Sequence, residues 1–131
     1  MIIDTSAVLA ILYQEDDALY FAKAIAQASI CRMSAANLLE AGINIDADGD
    51  ATASRQLDAL INRTGIVIEA VTHEQAQIAR QAYVDYGKGR HPAKLNYGDC
   101  FAYALAQITG EPLLFKGNDF GQTDIQVWQA T

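Results

Sequence analysis

The chain has 131 residues, of which 51% are hydrophobic and 19% are charged. This length fits one domain, residues 1–131, and the apolar content excludes a disordered chain. Two cysteines, Cys31 and Cys100, are too few for a disulfide framework, and their apolar neighbours predict reduced core thiols. The formal net charge of -7 argues, taken alone, against a nucleic-acid binder, whose footprint is usually basic.

The first half of the chain alternates strands and helices. The apolar run 1–3 predicts a buried strand over residues 1–4, followed by a helix over 5–13. A helix over 16–28 is predicted to bury one face, made of Leu19, Ala22, Ile25 and Ala26. A short strand over 30–33 leads to Ser34, a favoured N-cap for a helix over 35–46, and the turn-forming stretch 46–50 ends that helix.

The second half continues the alternation. A helix through Leu57, Leu60 and Ile61 stops before Gly65, and residues 66–68 form a strand. Further helices are predicted over 73–86 and 98–109, with strands over 113–115 and, at a sheet edge, 125–128. Strands that alternate with helices pair in parallel, so the expected fold class is α/β, a three-layer α/β/α sandwich with a central, mostly parallel sheet.

Four acids lie at the ends of predicted elements, among apolar or small residues: Asp4, Glu40, Asp99 and Asp119. Each has an ordinary structural explanation, as a helix cap, an exposed helical Glu, a first-turn acid and a turn residue respectively. Two of them follow buried strands, at the sheet edge where open α/β folds bind ligands. If all four converge there, their oxygens suit Mg²⁺ or Mn²⁺, ions that activate water against a phosphodiester.

A basic segment partly offsets the acidic composition. It contains Lys88, Arg90, His91 and Lys94 and no acid. A solvated loop is the ordinary explanation of such a cluster. Contact with nucleic-acid phosphates becomes the better explanation only when a nuclease site is argued independently.

Four segments of the chain resemble the PIN domain of VapC-type toxins: residues 1–7, 34–41, 86–104 and 111–120. The resemblance covers essentially the whole chain in order, and the segment 86–104 is its most specific part. It implies a Mg²⁺- or Mn²⁺-dependent endoribonuclease, the toxin half of a bacterial type II toxin–antitoxin pair. It also implies a cognate VapB-like antitoxin and a homodimer.

The resemblance maps the acidic quartet of the family onto Asp4, Glu40, Asp99 and Asp119, and our hypothesis gives each candidate residue a role. Asp4 and Asp99 bind the metal directly, and Glu40 binds a second ion or positions the attacking water. Asp119 completes the cavity, although Gly117 lies where many PIN domains have a further Asp. Ser6 hydrogen-bonds a ligand carboxylate or a substrate phosphate, and the RNA backbone is held by Lys88, Arg90, His91, Lys94 and Lys116.

Two other function classes fit the same acids. One is a protein-binding module whose acidic pocket receives a basic side chain, as an antitoxin Arg would provide. The other is a metal-dependent DNA nuclease or phosphatase. The amino terminus lacks a basic n-region, and no apolar run approaches the roughly 20 residues of a membrane span, so a cytoplasmic protein without membrane association is expected.

Overall fold

One parallel sheet organises the chain, of which a computed structural model describes residues 1–130. Its strands are β1 (Ile2–Ile3), β2 (Arg32–Ser34), β3 (Val67–Glu69) and β4 (Leu113–Leu114), in the spatial order β3-β2-β1-β4. Ile2 lies opposite Arg32 on one side and Leu113 on the other. The chain adds β2 and β3 on one side of β1 and then β4 on the other side, so the strand order reverses between β1 and β4. Open α/β sheets bind ligands at the carboxyl ends of the strands at such a switch point.

Helices cover both faces of the sheet. They are α1 (Thr5–Leu12), α2 (Ala18–Gln27), α3 (Ala35–Ala47), α4 (Ala51–Thr64), α5 (His73–Tyr86) and α6 (Tyr97–Thr109). Ile3 and Leu114 belong to a core shared with α1 to α4, whereas Ile2 and Leu113 belong to a second core shared with α5 and α6. Because successive strand residues point to opposite faces, β1 and β4 supply both cores. The predicted three-layer α/β/α sandwich is confirmed.

Helix boundaries follow the capping residues of the sequence. Ser34 accepts a hydrogen bond from the Ala36 N–H at the start of α3. Gly65 and Gly110 end α4 and α6 with φ values of 66° and 69°, the left-handed conformation that glycine adopts without steric cost. The predicted ends of these two helices are therefore confirmed.

The predicted apolar face of α2 is confirmed at Ile25 but wrong at Leu19 and Ala26. Leu19 is 64% exposed, and the residues that α2 buries are Phe21, Ala24 and Ile25. The helix is rotated because the Phe21 ring removes more apolar surface from water than Leu19 would, and Ala24 allows close approach to the core.

Strand boundaries also differ from prediction, and β1 and β4 are shorter than the predicted 1–4 and 113–115. β2 and β3 begin one or two residues later than predicted, because the register pairs Arg32 with Ile2 and with Val67. Instead of an edge strand over 125–128, the tail forms one parallel bridge between Val127 and Leu113, since β4 has only two residues to offer.

The structure also bears on the expectations about membrane spans and cysteines. Within the described residues, no helix is both long enough and apolar enough to cross a membrane. Cys31 and Cys100 are both buried with free thiols, as expected for core cysteines.

Candidate active site

Asp4 lies directly after β1, at the switch point of the sheet, and its two carboxylate oxygens have different surroundings. Oδ2 caps α1 by accepting hydrogen bonds from the Ser6 N–H at 3.0 Å and the Ser6 hydroxyl at 2.6 Å. Oδ1 is buried and has no hydrogen-bond donor, and the whole residue is only 3% exposed. Asp4 is thus a helix cap through one oxygen and a candidate ligand through the other.

Ser6 connects Asp4 to the far end of the chain. Its Oγ donates to Asp4 and accepts a hydrogen bond of 2.9 Å from the backbone N–H of Lys116, just beyond β4. The Ser6 hydroxyl therefore fixes the orientation of a carboxylate. In this arrangement both of its hydrogen bonds are made within the protein, so it positions Asp4 without a bound phosphate.

Glu40 reaches the same region from α3, and Gly98 makes room for it. A Cβ atom on Gly98 would lie 1.9 Å from Glu40 Oε2, which is far inside any allowed contact. Any residue other than glycine at position 98 would therefore push the Glu40 carboxylate away from the start of α6.

Asn37, a residue that the sequence pattern did not single out, links α3 to α6. Its buried Nδ2 donates to the Gly98 carbonyl oxygen at 2.9 Å and to Glu40 Oε1 at 3.4 Å. Its Oδ1 is buried without a donor, as is Asp4 Oδ1. The available signal was an amide one helical turn before Glu40 in an otherwise apolar stretch, where a buried polar group requires partners.

Asp99 lies in the first turn of α6 and takes part in a capping box. The Asp99 N–H donates to Asn96 Oδ1 at 2.9 Å, and Asp99 Oδ2 accepts from the Asn96 N–H at 3.0 Å. The residue is half-buried. Asp99 therefore caps α6 through Oδ2, and only its other carboxylate oxygen, Oδ1, remains for a ligand.

The pKa values show that the acids act on one another. Burial raises the pKa of Asp99 to about 7, the Asn96 N–H lowers it, and the charges of Asp4, Glu40 and Asp119 raise it. Burial likewise raises the pKa of Asp4 to about 6, against hydrogen bonds from Ser6 that lower it and the charge of Glu40 that raises it. The charges of the other three predicted acids therefore all act on Asp99, the acid at the start of α6.

Asp119 is the acid with the weakest structural support. It precedes a short 3-10 helix, Phe120–Gln122, and its side chain forms no capping hydrogen bond there. It is half-buried, and its connection to the cluster is its charge acting on Asp99.

The residues fit a hard divalent cation held by few protein ligands. Between residues 1 and 130, no three His, Cys, Asp or Glu side chains are grouped closely enough to form a metal cage. Mg²⁺ rarely uses such a cage, since it usually keeps several waters and takes one or two carboxylates together with substrate phosphates. The unpartnered Asp4 Oδ1, beside acids that repel one another, provides the oxygen donors that such an ion prefers.

The predicted basic residues are divided between two places. Lys116 forms ion pairs with Glu15 at 2.9 Å and Asp17 at 3.2 Å, so its charge is engaged at the connection between α1 and α2. Lys88, Arg90 and Lys94 are exposed in the loop between α5 and α6, and none of them forms an ion pair within the described part of the chain.

Contacts within this loop fix its conformation. Lys88 N–H donates to the Leu95 carbonyl oxygen, and His91 Nδ1 accepts from the Ala93 N–H at 3.0 Å. The Arg90 guanidinium lies 5.3 Å from the centre of the Tyr83 ring, at cation–π distance. The loop thus presents its cations from an ordered backbone.

Comparison with known proteins identifies the family to which this arrangement belongs. A family model described as the PIN domain matches residues 1–126. The chain belongs to the PIN domain family. The VapC ribonuclease Mb0625 of Mycobacterium bovis and ribonuclease VapC28 of Mycobacterium tuberculosis are each 55% identical to it over 127 residues, which is 96% of both chains. Ribonuclease VapC of Mycolicibacterium smegmatis is 49% identical over 95% of this chain and 97% of its own.

Solved structures share the fold at much lower identity. VapC20 of Mycobacterium tuberculosis, described as a Sarcin-Ricin loop cleaving toxin, superimposes with a TM-score of 0.78 at 15% identity, covering 98% of both chains. A toxin-antitoxin complex from Klebsiella pneumoniae gives a TM-score of 0.70 at 16% identity, covering 94% of this chain and 92% of that one. The resemblance to VapC-type PIN domains is therefore confirmed.

Proposed function

We propose that this protein is a metal-dependent endoribonuclease and the toxin of a toxin–antitoxin pair. The observation that carries this proposal is the buried Asp4 carboxylate, which has one oxygen fixed by Ser6 and the other without a donor among like charges. Relatives of the chain that are 55% identical over nearly their whole length are named ribonucleases. A structural cap alone would not need the other three acids.

We assign each acid a role in the cleavage of an RNA phosphodiester. Asp4 Oδ1 and the Asp99 carboxylate would hold Mg²⁺ or Mn²⁺, and the bound ion would supply a Lewis acid and an activated water. Glu40 positions the attacking water or holds a second ion, and Gly98 lets its carboxylate reach that place. Asp119 adds negative charge at the edge of the cavity, consistent with its effect on Asp99.

The RNA backbone would be bound by the cations of the loop between α5 and α6. Lys88, Arg90 and Lys94 have no ion-pair partner in residues 1–130 and are free to contact phosphates. His91 is half-buried and has Nδ1 occupied, so only its Nε2 remains for a phosphate. Lys116 would first have to leave Glu15 and Asp17.

We further propose a VapB-like antitoxin as the partner and the cytoplasm, where RNA is available, as the location. An antitoxin Arg fits the four-acid cluster, since a bidentate guanidinium would neutralise carboxylates that otherwise repel. Grooves of about 580 and 380 Å³ between α1 and α4 offer apolar side chains such as Leu12 and Tyr13 to an antitoxin segment. A homodimer is part of the same proposal and rests on the resemblance to the family.

The test is cleavage by purified protein of RNA, single-stranded DNA and a phosphomonoester, with Mg²⁺, Mn²⁺ or EDTA. We expect cleavage of RNA only, only with metal, and none by Asp4→Asn. Asp58→Asn, an exposed acid on α4, is the matched control and should retain full activity. An Asp4→Asn protein that is folded and fully active would refute the assignment, and hydrolysis of the monoester or DNA alone would favour the alternative enzymes.

A further inference from the structure

Tyr97 is an aromatic residue left almost entirely in water at the edge of the acid cluster. It is 83% exposed, more than any other large apolar side chain in the described part of the chain. It is the first residue of α6, directly before Gly98 and two positions before Asp99. Core packing and capping do not explain the position of this ring.

The ring is nevertheless held in a defined place. Tyr97 and Phe101, one turn apart on α6, pack edge to face with ring centres 4.9 Å apart and an interplanar angle of 83°. A side chain fixed in this way loses little conformational freedom when it binds a ligand, which favours affinity.

Two grooves meet at Tyr97. One, of about 200 Å³, lies between α3 and α6 and is lined by Leu39, Ile43, Phe101 and Glu40. The other, of about 470 Å³, lies between α5 and α6 and is lined by Arg80, Tyr83 and Phe101. Tyr97 thus stands between the acid cluster and a second, mostly apolar groove.

The two grooves on either side of Tyr97 differ in charge, since Glu40 lines the first and Arg80 the second. Arg80 lines the second groove, and the Arg90 guanidinium lies over the Tyr83 ring on its wall. Neither arginine forms an ion pair within residues 1–130. An exposed aromatic ring beside guanidinium groups without ion-pair partners is the combination that binds single-stranded nucleic acid, in which bases stack on rings and phosphates contact cations.

We propose that Tyr97 stacks on an unpaired base of the RNA next to the scissile phosphodiester, with Arg80 and Arg90 holding the phosphates beyond it. This inference rests on the ribonuclease function proposed above and adds the requirement that the RNA be single-stranded at this point. The competing occupant is a second copy of the chain, since Leu39 and Ile43 are 63% and 59% exposed in the same groove. RNA is favoured because a second copy seated here would cover Glu40, whereas RNA must reach it.

The test measures the binding of a short fluorescein-labelled single-stranded RNA by proteins that all carry Asp4→Asn, so that the RNA is not cut. We expect Tyr97→Ala and Tyr97→Leu to weaken binding about 5- to 150-fold, the range for loss of one base–aromatic stack. Tyr97→Phe should bind like its parent because the ring is retained. Tyr20→Ala, which removes an aromatic ring that is 48% exposed on α2, is the matched control and should also bind unchanged.

A second arm identifies the base as the contact. A set of RNAs carries one abasic nucleotide each, at successive positions of the strand. For one of these RNAs the parent protein and Tyr97→Ala should have equal affinity, because the base that would stack on Tyr97 is already missing. Unchanged affinity in Tyr97→Leu, or a Tyr97→Ala protein that changes from dimer to monomer in sedimentation, would overturn the inference. In that case the proposed function would still hold if the wild type cuts RNA in the presence of metal and the Asp4→Asn variant does not. Wild-type protein that neither binds nor cuts RNA would overturn both.

Discussion

The Glu40 carboxylate occupies the space where a side chain at Gly98 would begin. Glu40 Oε2 lies 1.9 Å from the position of a Cβ atom on Gly98, and Asn37 holds both groups from the side of α3. The absence of one side chain on α6 is therefore what allows the acid of α3 to join Asp99.

Gly98→Ala should displace the Glu40 carboxylate while the protein still folds. The added methyl group must push the end of the flexible Glu40 side chain away, so we expect RNA cleavage to fall about a hundredfold, the loss that a misplacement of about 1 Å can cause. Gly42→Ala is the control, because its Cβ atom would make only an ordinary contact of 3.9 Å with Leu57. Steady-state cleavage rates and thermal unfolding of both variants test this, and a Gly98→Ala protein with wild-type activity would contradict the role of Glu40.

Asp4→Asn should stabilise the metal-free protein, and more so as the pH rises. The folded-state pKa of Asp4, about 6, lies above its ordinary value of 3.8. Between these values the folded protein binds more protons than the unfolded chain, so the wild type loses stability as the pH increases. Asn avoids this loss, which reaches up to about 3 kcal/mol above pH 6.

Urea unfolding of both proteins in EDTA, at several pH values, measures this difference. The free energies of unfolding should nearly agree below pH 4, diverge up to about pH 7, and converge again when Mg²⁺ binds the wild type. Equal stability at all pH values would show that the buried carboxylate has another source of compensation.

Ser6→Ala should weaken metal binding without abolishing cleavage. The Ser6 hydroxyl lowers the pKa of Asp4 and fixes its orientation, whereas the Ser6 N–H remains in the variant. We expect a higher metal requirement and about 1 kcal/mol lower stability from the lost hydrogen bonds. Titration of activity with Mn²⁺ tests this against Ser29→Ala, an exposed serine; an identical metal requirement in both would remove Ser6 from the site.

The double variant Lys88→Ala, Arg90→Ala should bind RNA more weakly and with less dependence on salt. Each phosphate contact to a single strand contributes about 0.7 to the slope of log affinity against log salt, so the slope should fall by about 1.4. Lys23→Ala, on the exposed side of α2, serves as the control. A slope that does not change would place the RNA backbone elsewhere on the molecule.

The sequence was sufficient to predict the fold and to single out four acids whose charges act on Asp99 or belong to it. Alternating apolar runs and helix caps specify the parallel sheet, and residues at the carboxyl ends of neighbouring parallel strands must lie near one another. The role of Gly98 was not predictable, because it depends on how closely α3 and α6 pack. The pairing of Lys116 with Glu15 and Asp17 was missed for a similar reason, since it joins residues about a hundred positions apart.

The hydrogen bond from the Lys116 N–H to Ser6 gives the site a dependence on chain length. The orientation of Asp4 through Ser6 is completed only when the segment after β4 lies beside β1. A chain still growing on the ribosome, or one cut before residue 116, contains Asp4, Glu40 and Asp99 without this connection. Loss of the residues after β4 would therefore leave all of these acids in place but remove a contact that orients the first of them, so the integrity of the site depends on a segment 110 positions away from Ser6.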